Sequence, residues 1–125
     1  MKKLANNRAM GSFGERQAIK YLKNNGYILL AKNFNTYFGE IDIIAKQNDV
    51  IVFIEVKARK NANYGYPYEA VNNKKQQKII KTAYAYIKKM NLKNYQYRFD
   101  IIEVYLCGSS QYKINHILDA FWLTD

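Results

Sequence analysis

The stretch EIDIIAKQNDVIVFIEVKA, Glu40–Ala58, decides the fold, because it places two apolar runs on either side of a polar turn. Side chains of a β-strand point alternately to the two faces of a sheet, and Asn48-Asp49 is a pair of the kind that tight turns prefer. The pattern therefore predicts a β-hairpin with strands Glu40–Ala45 and Ile51–Ala58. One face of this hairpin is wholly apolar, with Ala45 opposite Val52, Ile43 opposite Ile54 and Ile41 opposite Val56.

The other face of the predicted hairpin is charged, with Asp42 opposite Glu55 and Glu40 opposite Lys57. Opposed carboxylates with Cβ atoms about 5 Å apart repel by about 3 kcal/mol at an effective dielectric near 20. A purely structural hairpin gains nothing from this repulsion, whereas a divalent cation such as magnesium turns it into attraction. Lys57 could then orient a water or stabilise charge on a phosphate. The alternative is a half-exposed strand with an incidental acidic pair and a cross-strand salt bridge.

Composition indicates one domain, residues 1–125, with a polyanionic partner. Lys plus Arg number 20 against 10 acidic residues, which gives a net charge of +10. Nucleic acid, ribosomal partners or an anionic membrane would all select this balance. The single cysteine, Cys107, excludes an internal disulfide framework and a cysteine-rich zinc site, and it fits a reduced cytoplasm. We see no signal peptide or transmembrane helix, and expect a cytoplasmic protein without a membrane partner.

The N-terminal third predicts a helix followed by a strand. Ser12–Glu15 has the pattern of a capping box, so we expect a flexible basic segment over residues 1–11 and a helix from Ser12 to about Asn25. Gly26 is a suitable stop. Glu15 lies on the inward helical face, so it could act as a cap or as a third carboxylate above the sheet. A first strand is predicted over Tyr27–Asn33.

The C-terminal half predicts a second helix, from about Asn73 to Met90, and two strands, Tyr95–Leu106 and Tyr112–Ile117. The order is αβββαββ, an α/β domain with a mixed sheet, and the crossover helix should bring strand four parallel to strand three or a neighbour. We expect the Arg98 and Asp100 side chains on one strand face to pair. His116 is expected to be packed or to face a partner rather than to act as a catalyst.

Basic residues after strand three and at the start of the second helix are expected to contact phosphates, because a helix N-terminus also favours anions. The loop Asn61–Pro67, rich in tyrosine, should lie beside the acidic cluster, where it could cover a substrate strand or serve only as a connector. Lysines on a helix more commonly form a solvated face, and we assign that role to Lys88 and Lys89. The predicted phosphate-binding residues are Arg59, Lys60, Lys74, Lys75 and Lys78.

Five short motifs together resemble a known family. They are GSFGE at Gly11–Glu15, GEID at Gly39–Asp42, FIEVKAR at Phe53–Arg59, YGYP at Tyr64–Pro67 and RFD at Arg98–Asp100. Their order resembles the PD-(D/E)XK nuclease superfamily and, more closely, the YraN-type bacterial family of uncharacterised endonuclease-like proteins. The resemblance covers almost the whole chain. It implies a restriction-endonuclease-like three-layer core, with a central mixed β-sheet flanked by helices.

The resemblance also implies site roles for individual residues. Asp42, Glu55 and the Val56 carbonyl would bind magnesium or manganese, while Lys57 would position or activate the attacking water. Glu15 would hold a water or a second metal, and we read Glu40 as a support of Lys57. The implied reaction is phosphodiester hydrolysis on DNA. Archaeal Holliday-junction resolvases share this core, act on branched DNA and are dimers, so a homodimer is among the expectations.

Two other functions remain open at this level. The chain could be a non-catalytic nucleic-acid-binding module on the nuclease fold, or an RNA- or ribosome-associated protein, which its charge allows. The acidic set favours the nuclease, because carboxylates beside a polyanion weaken binding unless a metal is present.

Overall fold

Two helices and five strands make up the part of the chain that the computed structural model describes, residues 7–60, 72–107 and 111–121. They follow the predicted order αβββαββ, which confirms the α/β class. Their bounds are α1 Asn7–Asn24, β1 Ile28–Thr36, β2 Gly39–Gln47, β3 Val50–Arg59, α2 Asn73–Met90, β4 Gln96–Leu106 and β5 Tyr112–Phe121. Neither described helix is long and apolar enough to cross a membrane. The loop Asn61–Pro67 and its YGYP motif lie outside the described residues.

The strands form one mixed sheet in the order β1-β2-β3-β4-β5. Strand β3 pairs antiparallel with β2 and parallel with β4, as predicted for a connection that crosses over through α2. The remaining neighbours, β1 with β2 and β4 with β5, are antiparallel. The hairpin strands β2 and β3 therefore lie at the centre of the sheet, which explains their nearly continuous apolar character.

The helices cover opposite faces of the sheet, because alternate residues of the central strands contact different helices. On one face Ala18 and Leu22 of α1 pack against Ile43, Ala45, Val52, Ile54, Ile102 and Val104. On the other face Ile79, Ile80, Ala83 and Tyr86 of α2 pack against Ile41, Ile44, Ile51, Phe53, Phe99 and Ile101. Each fully buried aliphatic or aromatic side chain of this kind contributes about 1.5–3 kcal/mol of hydrophobic stabilisation.

The predicted hairpin register is confirmed for its first part and wrong for its end. Ala45 pairs with Val52 and Ile43 with Ile54, but the paired positions of β2 and β3 go no further than this. Ile41 packs on the α2 face rather than opposite Val56 on the α1 face. The alternation of β2 breaks between Ile41 and Ile43, beside Asn33 of the neighbouring strand, which has a positive φ of 52°. In the pairing of β1 with β2, Lys32 pairs with Ile43 and Phe34 with Ile41, but Asn33 and Asp42 between them are not paired.

The predicted start of the first helix is also wrong. Helix α1 begins at Asn7, so Ser12–Glu15 lies inside it and is not a capping box, and residues 7–11 are helical. The predicted stop is confirmed, since Gly26 has φ +84° and Tyr27 N–H donates to Leu22 O at 3.0 Å. Helix α2 has the predicted bounds, and the Asn72 side chain caps it by accepting from Lys75 N–H at 2.9 Å.

Candidate metal centre and nucleic-acid interface

Two carboxyl groups meet at the point where β2 separates from β3. The Val56 N–H donates to Asp42 Oδ2 at 2.8 Å, so a side chain replaces the backbone acceptor that a continued ladder would supply. Glu55, on the neighbouring strand position, is only 7% exposed. Its carboxyl group lies within hydrogen-bonding range of the Asp42 carboxyl group. The structure therefore brings together the two predicted metal ligands.

The proximity of these groups changes how Glu55 binds protons. Burial first, and then the hydrogen bond and charge of Asp42, raise the pKa of Glu55 to about 8. The carboxyl pair therefore holds a proton near neutral pH in the absence of a cation. This is the behaviour expected of two acids that share one small site.

Two partly exposed lysines complete the charge cluster. Lys75 Nζ of α2 lies 3.5 Å from Glu55 Oε2. Burial acts to lower the pKa of Lys75, but its contact with Lys57 and the nearby carboxylates outweigh burial, so this pKa is raised. Burial first, and then Lys75, lower the pKa of Lys57. The two ammonium groups thus differ in proton affinity, and Lys57 is the one that gives up its proton more readily.

Glu15 approaches the same cluster from the α1 side. Gly14 lets α1 lie against β3, because a Cβ at Gly14 would stand 2.9 Å from the Ala58 Cβ. Burial, then the charge of Asp42, raise the pKa of Glu15, and a hydrogen bond with Asn33 opposes this rise. The helix start at Asn7 excludes the predicted capping role for Glu15.

An open pocket of about 490 Å³ is lined by six of the predicted residues. Its acidic wall comes from the β2–β3 region and its basic wall from the first turns of α2. This pairing of walls suits a cation next to a phosphate group. The charged side chains that line the pocket are Glu40, Asp42, Glu55, Lys74, Lys75 and Lys78.

Two predicted residues have a different environment from the one expected. Arg59 forms an ion pair with Glu103, and its side chain is only 17% exposed, so its guanidinium group holds a buried carboxylate instead of facing a phosphate. Glu40 lines the pocket, but the charged groups that act on Lys57 are Lys75, Glu55 and Asp42. Lys60 is exposed at the end of β3.

Glu103 is a buried acid that the sequence did not identify. It is fully buried on β4, opposite Lys57, where it accepts from Arg59 and from the Tyr105 hydroxyl. The sequence around a single glutamate in an apolar strand does not show whether its side chain is buried or exposed. Tyr105 lies two residues further along β4, whereas Arg59 reaches Glu103 only through the parallel pairing of β3 with β4.

The expected Arg98–Asp100 pair is confirmed as a bidentate contact, with both distances 2.9 Å. His116 packs beside it, with Nε2 2.7 Å from Asp100 Oδ2 and Nδ1 2.9 Å from Tyr21 Oη. Burial acts to raise the pKa of Asp100, but its bonds to His116, Arg98 and the Asp119 N–H outweigh burial and lower it. This network satisfies a buried carboxylate and holds β5 against β4.

A family comparison covers the strands and helices that build the pocket. The sequence profile described as "Uncharacterised protein family UPF0102" matches residues 14–104, which include Glu15, Asp42, Glu55, Lys57 and Lys75. The chain belongs to the UPF0102 family. This confirms the family-level resemblance, and the description of UPF0102 assigns it no activity.

Curated UPF0102 relatives align over nearly their whole length. The UPF0102 protein of Clostridium beijerinckii is 52% identical over 98% of this chain and 99% of its own. That of Caldanaerobacter subterraneus subsp. tengcongensis is 53% identical over 97% of this chain and 100% of its own. The Clostridioides difficile protein is 52% identical over 93% and 99% of the two chains. The similarity of these relatives to the chain therefore extends over nearly all of both sequences.

The donor set in this UPF0102 chain fits a hard cation bound together with other ligands. Within residues 7–60, 72–107 and 111–121, no group of three or more His, Cys, Asp or Glu side chains is placed to hold a metal ion on its own. Magnesium typically takes one or two carboxylates and completes its shell with waters and substrate phosphate. The Asp42–Glu55 pair supplies two such carboxylates, and the open pocket leaves room for waters and a phosphate group.

Proposed function

We propose that this chain is a magnesium- or manganese-dependent phosphodiester hydrolase, an endonuclease-like enzyme on the PD-(D/E)XK nuclease fold that acts on DNA. One observation carries the proposal: the carboxyl groups of half-buried Asp42 and buried Glu55 meet in a pocket whose other wall is basic. A protein that only bound polyanions would have no use for two acids beside its lysines, because they repel phosphate.

The cation would be held by Asp42, Glu55 and the Val56 backbone carbonyl. When bound, it would stabilise developing charge on the phosphate and lower the pKa of the attacking water. The chain's own contribution is to orient the ligands. The Val56 N–H fixes one Asp42 oxygen, while burial of Glu55 keeps its carboxyl group in a single environment.

Lys57 is the residue we assign to the attacking water. Burial and the neighbouring Lys75 lower its pKa, so that its Nζ can accept a proton or orient a water more readily than an exposed lysine. Lys75 stays charged and would attract a phosphate oxygen. Glu15, close to Asp42, would hold a second water or a second cation.

DNA is the proposed substrate because one wall of the pocket is basic and the whole chain is positively charged. Lys74, Lys75 and Lys78 project from the first turns of α2 and line the pocket, in a chain of net charge +10. We extend the proposal to branched or damaged DNA, to a homodimer and to a cytoplasmic setting. These three extensions rest on the family resemblance and on the single exposed thiol, Cys107.

A non-catalytic nucleic-acid-binding module is the second candidate. The observation that favours it is the 3.5 Å contact between Lys75 Nζ and Glu55 Oε2, which partly neutralises the acidic pair without any cation. In that case the cluster would be a structural ion network, and phosphate would be bound by the remaining lysines of α2.

A cleavage panel separates the two candidates. Linear, flapped, forked and four-way DNA would be incubated with magnesium or manganese and either wild type or the Asp42→Asn and Glu55→Gln variants. Asp49→Asn is the matched control, since Asp49 is an exposed acid at the far end of the same hairpin. The nuclease proposal requires metal-dependent cleavage by wild type and by the control, and its loss in both site variants. A panel that wild type binds but leaves intact supports the binding module.

A further inference from the structure

The turn between β1 and β2 exposes two aromatic side chains next to the candidate metal pocket. Tyr37 is 98% exposed and Phe38 is 47% exposed, and together they are the whole connection between Thr36 and Gly39. Two-residue turns of this kind normally carry glycine, asparagine or aspartate. A large exposed apolar pair at such a position needs a reason other than folding.

The position of this turn is held rigidly against α2. Thr36 Oγ1 accepts from the Phe38 N–H at 3.1 Å and lies 3.3 Å from Oγ1 of the buried Thr82. Gly39 has φ +156°, and a Cβ there would stand 3.5 Å from the Lys78 Cβ. Because Gly39 also lines the pocket, the aromatic pair has a defined place relative to Asp42 and Glu55.

The two rings form an edge-to-face pair beside positive charge. Their centroids are 5.8 Å apart with an interplanar angle of 82°, so the two ring planes are nearly perpendicular. Lys81 Nζ lies 5.8 Å from the centroid of the Phe38 ring, and Lys78 is on the adjacent turn of α2. An aromatic platform bordered by lysines is the arrangement that binds bases and backbone of a single strand.

We propose that Tyr37 and Phe38 stack on unpaired bases of a nucleic-acid strand whose phosphates run along α2 into the pocket. The inference deepens the proposed function by naming its substrate class, DNA with a single-stranded segment, and it rests on that function. Bases inside a duplex are already stacked on their neighbours, so an exposed ring pair gains contacts only where pairing is interrupted. The occupant is an unpaired strand because the net charge and the flanking lysines complement phosphate.

Binding in metal-free buffer tests this inference without requiring cleavage. Fluorescence anisotropy would compare labelled oligothymidine of about 20 nucleotides, longer than a typical single-strand footprint, with a blunt duplex of the same length. The test variant is Tyr37→Ala/Phe38→Ala, and the control is Leu118→Ala, which removes an exposed apolar side chain from β5 at the opposite edge of the sheet. Tyr37→Trp keeps a stacking surface and should retain affinity.

The expected result is that the double alanine variant binds oligothymidine about 10-fold or more weakly, while its affinity for the duplex is unchanged. Its melting temperature should match that of wild type, because neither ring is buried. An equal loss on both DNA forms, or no loss on either, overturns the inference. A change from dimer to monomer without an effect on oligothymidine also overturns it, by assigning the turn to contact between two copies.

Asp42→Asn separates this inference from the nuclease proposal. Its oligothymidine binding, with and without the double alanine change, measures stacking in a chain that has lost a predicted metal ligand. Stacking that persists while wild type cuts nothing in the cleavage panel rejects the nuclease proposal alone. If wild type cleaves DNA in the panel but the double alanine change has no effect on single-strand affinity, the stacking inference alone is rejected.

Discussion

The backbone N–H of Val56 donates to the Asp42 carboxylate at 2.8 Å, across the point where the β2–β3 ladder ends. This bond ties the first acid of the pocket to the strand that carries the second, Glu55. It also explains why the strands can separate here at little cost, since the N–H that would otherwise lose its ladder partner remains satisfied. The separation opens the space in which the two carboxyl groups, and the cation we propose, face the lysines of α2.

Metal binding should depend on both acids of the pair. Calorimetric titration with manganese is expected to show one site in wild type, abolished in Asp42→Ala and in Glu55→Ala and kept in Asp49→Ala, whose side chain is exposed at the distant turn. Equal binding by all four proteins would contradict the site. Manganese should also raise the melting temperature of wild type, because a ligand that binds only the native state stabilises it.

Stability without metal should fall as pH rises from about 5 to 8. The pKa of Glu55 is about 8 in the folded chain, above its ordinary value of 4.5, so within this window unfolding releases a proton that only the native carboxyl group holds. Each pH unit can then cost up to about 1.4 kcal/mol. Urea titrations of wild type and Glu55→Gln should show a steeper decline in wild type. Parallel pH profiles would show that Glu55 does not hold this proton.

Gly14→Ala should destabilise the fold and disturb the acidic cluster, whereas Gly11→Ala should stabilise the fold. A Cβ at Gly14 would lie 2.9 Å from the Ala58 Cβ, which forces α1 away from β3, while a Cβ at Gly11 meets nothing within 4 Å. We expect a loss of about 1–3 kcal/mol for Gly14→Ala and a gain of about 0.5–1 kcal/mol for Gly11→Ala. Thermal unfolding measures both, and a gain at both positions would refute the close approach.

Lys57→Ala should abolish cleavage while leaving manganese affinity and DNA affinity nearly intact. A residue that acts on the water or the transition state contributes mainly to rate, and loss of one such electrostatic contact costs roughly 100- to 1,000-fold. The measurement pairs gel-shift affinity with cleavage rate on one branched substrate, and Lys113→Ala, which removes an exposed lysine from β5, is the control. Severe loss of affinity with no change in rate would assign Lys57 to binding.

DNA affinity should fall steeply with salt, and the α2 lysines at the pocket should carry part of that slope. About five phosphate contacts give a log–log slope near −4.5 on duplex DNA. Lys74→Ala/Lys78→Ala is expected to reduce the slope by about 2, since both residues line the pocket without the Glu55 contact of Lys75. Lys88→Ala/Lys89→Ala, the same charge change in the last turn of α2, should leave it unchanged. If only the Lys88→Ala/Lys89→Ala variant reduced the slope, the DNA-binding site would be assigned to the C-terminal end of α2.

Much of the fold was predictable because strand and helix periodicities report burial directly. The bounds of α2 and the antiparallel β2–β3 register up to Ile43–Ile54 followed from the sequence. The sequence also predicted that β4 would lie parallel to β3 or a neighbour, and the structure shows that the partner is β3. The approach of Asp42 to Glu55 followed from that register as well. The start of α1 did not, because Ser12–Glu15 has the local composition of a cap although the helix continues through it.

The sequence by itself determined which residues alternate, where the chain turns and therefore that two acids and a lysine would share one end of a hairpin. Only the tertiary structure decided the break at Asn33 and Asp42, which puts Ile41 on the α2 face, the contact of Lys75 with Glu55 and the burial of Glu103 against Arg59. Periodicity describes one element at a time. The partner of a charged side chain depends on how distant elements cross and where paired strands separate, and no local pattern contains that information.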